Sequence, residues 1–154
     1  MYVDWEDLMT YGKRFANYDR TRVEAASKVE LIILCYDKTI QCLAQAKVHY
    51  ENNEYELKAR RLQKALDIIN ELQSCLDLEQ GGQIAKNLDA IYTYIIQRLL
   101  TADIKGVFAA FDEAIHILDE LKDAWQTISS HNENQVNNMT VDHSLSIGST
   151  QFAV

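Results

Sequence analysis

Residues 77–102 read DLEQGGQIAKNLDAIYTYIIQRLLTA. The paired glycines Gly81 and Gly82 permit a positive-φ turn, which residues bearing a Cβ resist. Beyond them Ile84, Leu88, Ile91, Ile95, Leu99 and Ala102 recur at spacings of three and four. That is the period of one helix face. The stretch is a turn feeding an amphipathic helix, and the chain on either side repeats the pattern.

On the N-terminal side, Leu62, Leu66, Ile69, Leu72 and Leu76 share one face of a helix over about residues 54–76. Glu51-Asn52-Asn53 is a polar break before it, with asparagine available as a cap. Further back, Val29, Ile33, Tyr36, Ile40 and Leu43 trace a helix over about 28–50. Ser27-Lys28-Val29-Glu30 reads as its capping box: Ser27 accepts from the N–H three residues on, and Glu30 reaches back. On the C-terminal side the quoted helix covers about 83–103 and ends at Asp103-Ile104-Lys105-Gly106. Phe108, Phe111, Ile115, Leu118, Leu121, Trp125 and Ile128 then mark a fourth helix over about 107–129.

Helices of roughly 20 residues, each ~30 Å long, joined by loops of about two to six residues, imply antiparallel neighbours. With only 5 Gly and no Pro to interrupt it, the chain is predicted to be all-α. Residues 27–130 form an antiparallel up-down-up-down four-helix bundle. An N-terminal capping segment, residues 1–26, precedes it and carries Tyr2, Trp5, Tyr11, Phe15 and Tyr18. Residues 131–154 contain no Lys or Arg and little periodicity, and are predicted to be a disordered, flexible C-terminal tail.

The 23 acidic residues outnumber the 15 basic ones, a formal net charge of −8. That balance disfavours nucleic acid, whose binding depends on Lys and Arg displacing phosphate counterions, and an anionic membrane surface. No apolar run approaches the ~20 residues that span a bilayer, and the first residues lack the basic and apolar regions of a signal peptide. Cys35, Cys42 and Cys75 have no paired spacing. They are expected to be small buried hydrophobes in a reducing cytosol.

Helical bundles also host di-iron enzymes, which need two Glu-x-x-His pairs and two further carboxylates. One match is present, Glu113-Ala114-Ile115-His116; before His49, Ala46 stands where the second glutamate belongs. A histidine phosphotransfer role for His116 is opposed by Asp119 and Glu120 close behind it. No phosphate-binding glycine loop, zinc pattern or nucleophile triad is present. The reading is therefore no enzyme, no metal and no cofactor.

What the sequence has in surplus is apolar edge. The third helix carries a second stripe, Tyr92, Ile96 and Leu100, and the second adds Ala65, Ile68, Leu72 and Cys75. Either these widen the core, or they form a groove for amphipathic partner segments.

The quoted stretch, taken from Leu76 to Tyr94 and continued by Arg98-Leu99, resembles the flagellar secretion chaperone family, FliS. The family pattern there is close to LD-x-E-x-GG-x-IA-x-NL-x-x-LY-x-Y. Tyr18, Val23, Ala26-Ser27, Leu31 and Leu34-Cys35-Tyr36-Asp37 resemble its opening block, and Asp123-Ala124-Trp125 its closing one. The three blocks keep order and spacing over about residues 15–128. Lys28 replaces a usual Pro and Lys38 a usual Gly, and Gly106-Val107-Phe108 replaces a loop like Asn-Asp-Pro.

The resemblance implies a cytosolic export chaperone that binds the C-terminal segment of flagellin, prevents its premature polymerisation and presents it to the flagellar export gate. Ile68, Leu72, Tyr92 and Ile96 are the expected groove contacts. Phe15 and Tyr18 are the expected cap over that surface when the partner is absent. A monomer or weak dimer is expected. The alternatives are a helical adaptor without a flagellar client and the di-metal enzyme.

Overall fold

The computed structural model describes the backbone of residues 22–150 and the side chains of residues 28–135. Four helices follow one another: α1 (Arg22–Glu51), α2 (Tyr55–Ser74), α3 (Gly82–Lys105) and α4 (Ala109–Thr150). Among the described residues there is no strand. Ile32–Lys122 is one compact unit holding the bundle, and the outer ends of α1 and α4 fall in a second.

Each turn in the bundle has a local cause. α1 closes where Glu54 N–H donates to His49 O at 2.8 Å and Asn53 N–H to Tyr50 O at 3.0 Å. Asn53 takes φ 61 between them, the left-handed position of a Schellman cap that asparagine tolerates better than most residues. Asn53 thus ends α1, whereas the sequence suggested a cap for α2. α3 closes the same way on Gly106 at φ 68, with Val107 N–H on Ala102 O at 3.0 Å. Between α2 and α3, Asp77 Oδ1 accepts from Glu79 and Gln80 N–H, and Gly81 N–H donates to Asp77 O. A Cβ on Gly81 would stand 2.6 Å from both Asp77 O and Ala85 Cβ, so this glycine lets the chain turn in its own width.

Polar contacts fix the pairing of the helices. Lys47 meets Asp112 at 2.7 Å and Asp37 meets Lys122 at 3.0 Å. Ten residues back along α1 thus match ten forward along α4, the register of an antiparallel pair. Lys58–Asp103 at 2.5 Å and Gln73–Asp89 at 2.9 Å do the same for α2 and α3. Arg98 and Tyr94 of α3 both hold Glu113 of α4. The up-down-up-down bundle follows.

The core runs through Tyr36, Cys42, Leu43, Leu62, Ile69, Leu88, Ile95, Leu99, Phe111 and Leu118. Ala46, Ala65, Ala85, Ala102, Ala110 and Ala114 are buried between them. At the loop end, Tyr50 stacks on Phe108 with centroids 3.4 Å apart, and Phe108 lies 5.1 Å from Phe111.

Several expectations are corrected. α1 begins at Arg22, so Ser27 lies within the helix and not at its start. Glu24, Ala25 and Ala26 are good helix formers, and Lys28 does not halt the helix as a proline would. α4 continues as helical backbone to Thr150, so residues 131–150, expected as an irregular tail, are helical. No proline interrupts that stretch and its only glycine is Gly148. Ile84, placed on the core stripe, is 72% exposed, because it sits in the first turn of α3 beyond the end of α2. Cys75, expected inside, is exposed at the C-cap of α2. Phe15 and Tyr18 lie outside the described residues.

Candidate partner-binding surface

The four side chains expected to line one groove do not stand together. Ile68 is 4% exposed and Tyr92 2%, so both are core residues of the free chain. Leu72 and Ile96 are half-buried. Position along the helices explains the split. Arg61 is near enough to α1 for its charge to act on the Cys42 thiol, and Ile68 and Leu72 follow it by seven and eleven residues on the same side of α2. Gln73 marks the other side, donating to Asp89 Oδ1 and to Thr93 Oγ1 of α3. Ile96 follows Thr93 by three and Asp89 by seven, on the flank of α3 that faces α2. Two furrows therefore border α2, with Leu72 in one and Ile96 in the other.

The flank of α3 is the more open. Tyr92, Ile96 and Leu100 form one surplus stripe by their spacing, and the structure spreads them from core to solvent. Tyr92 is shut in, Ile96 is half-covered, Leu100 is 46% exposed, and Ile104 one turn further is 86% exposed. Sequence reading placed Ile104 in a loop and missed it. Its signal was the continued spacing of four after Ile96 and Leu100. Three large aliphatic side chains in a row on one helix flank is an arrangement that water does not favour.

The remaining reactive groups are engaged or inert. Glu113, half of the di-metal motif, accepts from Tyr94 Oη and from Arg98 Nε, and these donors hold its carboxyl below the usual range. His116 Nε2 lies 3.3 Å from Glu120 on the same helix. Among the described residues no three of His, Cys, Asp and Glu group as a metal would require. Burial, helped by Cys75 and Glu71, pushes the Cys35 thiol up to about 11, so it is a poor nucleophile. No helix among the described residues is long and apolar enough to cross a membrane. What this surface can do is bind.

Known proteins carry the same pattern. The family model described as Flagellar protein FliS matches residues 11–132. A flagellar secretion chaperone FliS from Vibrio cholerae is 37% identical over 108 residues, covering 70% of this chain and 79% of its own. That from Salmonella typhimurium is also 37% identical over 108 residues, covering 70% and 80%. The flagellar secretion chaperone FliSB of Pseudomonas aeruginosa is 35% identical over 121 residues, covering 76% and 96%. All three names describe chaperones and none an enzyme.

Proposed function

This chain belongs to the FliS family of flagellar secretion chaperones, and we propose that its client is the C-terminal segment of flagellin. The chain binds that segment in the cytosol, keeps it from polymerising before export, and presents it to the flagellar type III export gate. Its work is stoichiometric binding without turnover. The observation that carries this reading is the line Ile96, Leu100 and Ile104, apolar and progressively uncovered along α3. Such a line suits an amphipathic segment that gains its helix on docking. Leu72 supplies a second contact from the other side of α2, while Ile68 and Tyr92 support the surface from beneath. Phe15 and Tyr18 cover part of it when no client is bound, competing with the client for the same apolar side chains.

Calorimetric titration with the C-terminal segment of flagellin from the same bacterium tests the proposal. One-to-one binding with a negative heat-capacity change and gained helicity is expected. Absence of binding by a well-folded chain overturns it and leaves a helical adaptor with another client.

A further inference from the structure

The second furrow, between α1 and α2, has a chemistry of its own. Leu34, Lys38, Gln41, Gln45 and Val48 follow one another at spacings of three and four along α1. They lie on one strip of that helix. Leu57, Arg61, Lys64, Ile68 and Leu72 do the same along α2. The strips run antiparallel, and Cys42 lies between them with Lys38, Arg61 and Lys64 all near enough to act on its thiol. The furrow is thus apolar at both ends, through Leu34 and Leu72 at one and Val48 and Leu57 at the other. Its middle is cationic.

Those cations stand apart by combining burial with the lack of a counter-charge. The chain is acidic overall, at −8, and Lys47, Lys58, Arg60, Arg98 and Lys122 each meet a carboxylate. Lys38, Arg61 and Lys64 meet none among the described residues; Lys28, Lys86 and Lys105 meet none either, but they are exposed. Lys38 donates only to Gln41 Oε1 of its own helix, at 3.3 Å, and the Arg61 and Lys64 charges act on the Cys42 thiol without a carboxylate of their own. Lys38, Arg61 and Lys64 are all half-buried, as long cationic side chains are when their stems cover apolar surface and their charges stay in water. Beside them Gln45 Oε1 is buried without a hydrogen-bond donor. Leu34, Val48 and Leu57 are all exposed.

We propose that the α1–α2 furrow docks a helical segment of a second protein that carries carboxylates at its centre and apolar side chains at both ends. Leu34 and Val48 are fourteen positions apart, which sets the apolar contacts ~21 Å apart at 1.5 Å per residue. The docked segment therefore needs about four turns between its two apolar anchors. The central carboxylates answer three unpaired cations, and charge opposite in sign along the furrow fixes the register of the docked helix. The chaperone reading supplies one candidate owner of such a segment, the client, but the required pattern comes from the furrow itself.

The test uses a synthetic helical peptide of about 22 residues with leucines at both ends and glutamates on the same face at its centre. A second peptide carries lysine at each glutamate position. Both are titrated against the full chain, its Arg61→Glu/Lys64→Glu variant, and the milder Arg61→Gln/Lys64→Gln variant. Far-UV circular dichroism and urea midpoints confirm that each variant is folded. The unmodified chain is expected to bind the acidic peptide at least about tenfold tighter than the basic one. Neutralisation should weaken that preference, and reversal should invert it. Equal binding of the two peptides, or undiminished binding of the acidic peptide by the reversed variant, overturns the proposal. A failed fold in the reversed variant leaves the decision to the neutral one. Binding of the flagellin segment by a chain indifferent to peptide charge would keep the chaperone reading and remove the furrow. The acidic peptide binding where flagellin does not would do the opposite.

Discussion

Tyr36 and Tyr92 meet hydroxyl to hydroxyl at 2.6 Å, one from α1 and one from α3, and both side chains are closed to solvent. α1 and α3 run in the same direction and are not joined by a loop, so this contact ties helices on opposite corners of the bundle. Burying a tyrosine in an apolar core needs a partner for its oxygen, and this contact gives one to each ring. The same burial, with Tyr36 adding to it, drives the Tyr92 hydroxyl strongly upward from its ordinary pKa.

Removing one hydroxyl should therefore cost more than half of removing both. Tyr36→Phe and Tyr92→Phe are each expected to lower unfolding free energy by about 1–2 kcal/mol, since each breaks the buried hydroxyl–hydroxyl contact. The double variant should fall short of the sum by about 0.5 kcal/mol or more. Urea unfolding of the four proteins gives the cycle. Strict additivity would mean that the two oxygens do not depend on each other.

How much of this was legible in the sequence depends on what periodicity carries. It gave four helices and their order, because apolar spacing survives without tertiary context. It gave the phase of each helix less well. Ile84 fits the stripe of α3 yet faces solvent, because α2 has ended at Ser74 and nothing stands opposite. Tyr92 and Ile96 share a stripe by spacing, and only the contact with Tyr36 of α1 shows that Tyr92 turns inward. The buried alanines of α1 and α4, Ala46, Ala110 and Ala114, escaped a reading weighted toward large side chains. The cations around Cys42 come from two helices, and no pattern along one helix brings them together.

The three thiols should separate in reactivity. Cys75 is exposed, while Cys35 and Cys42 are buried and burial raises both thiols. A disulfide reagent at neutral pH is expected to modify Cys75 at once. The other two should react only as fast as the chain opens. Rapid labelling of all three would contradict the packing of α1 against α2.

Alkaline pH should weaken the fold. The Cys35 thiol is raised from 9.0 to about 11, so above pH 9 the unfolded chain loses a proton that the folded chain keeps. The stability present below pH 9 is then lost progressively as pH rises through about 11. Tyr92, raised as well, adds to the loss once unfolded tyrosine ionises near pH 10. Urea midpoints between pH 8 and 11 should fall, and Cys35→Ala should flatten the first part of that fall. A flat profile would place Cys35 in water.

The α2–α3 turn should tolerate no side chain at Gly81. A methyl there meets Asp77 O and Ala85 Cβ at 2.6 Å, and the first of these is backbone, which cannot step aside cheaply. Gly81→Ala is expected to cost about 1–3 kcal/mol. At Gly82 the space is open but φ is +55, so Gly82→Ala should cost only about 1 kcal/mol. Thermal unfolding of the two variants ranks them, and the reverse order would mean that the turn is not built on the close approach at Gly81.

The proposed client surface makes its strongest claim at its most exposed residue. Ile104 is 86% exposed and contributes almost nothing to the core, so Ile104→Asp should leave the unfolding midpoint within about 0.5 kcal/mol of the unmodified chain. Leu99, five residues earlier and fully buried, is the opposite case: Leu99→Ala should cost about 2–5 kcal/mol. If the client lies along Ile96, Leu100 and Ile104, then Ile104→Asp puts a charge where an apolar side chain should dock. Affinity for the flagellin segment should fall by about tenfold or more, with the fold untouched. Ile96→Asp should weaken binding as well, at a greater cost in stability because that side chain is half-buried. Unchanged affinity in a folded Ile104→Asp variant would move the client off this flank of α3.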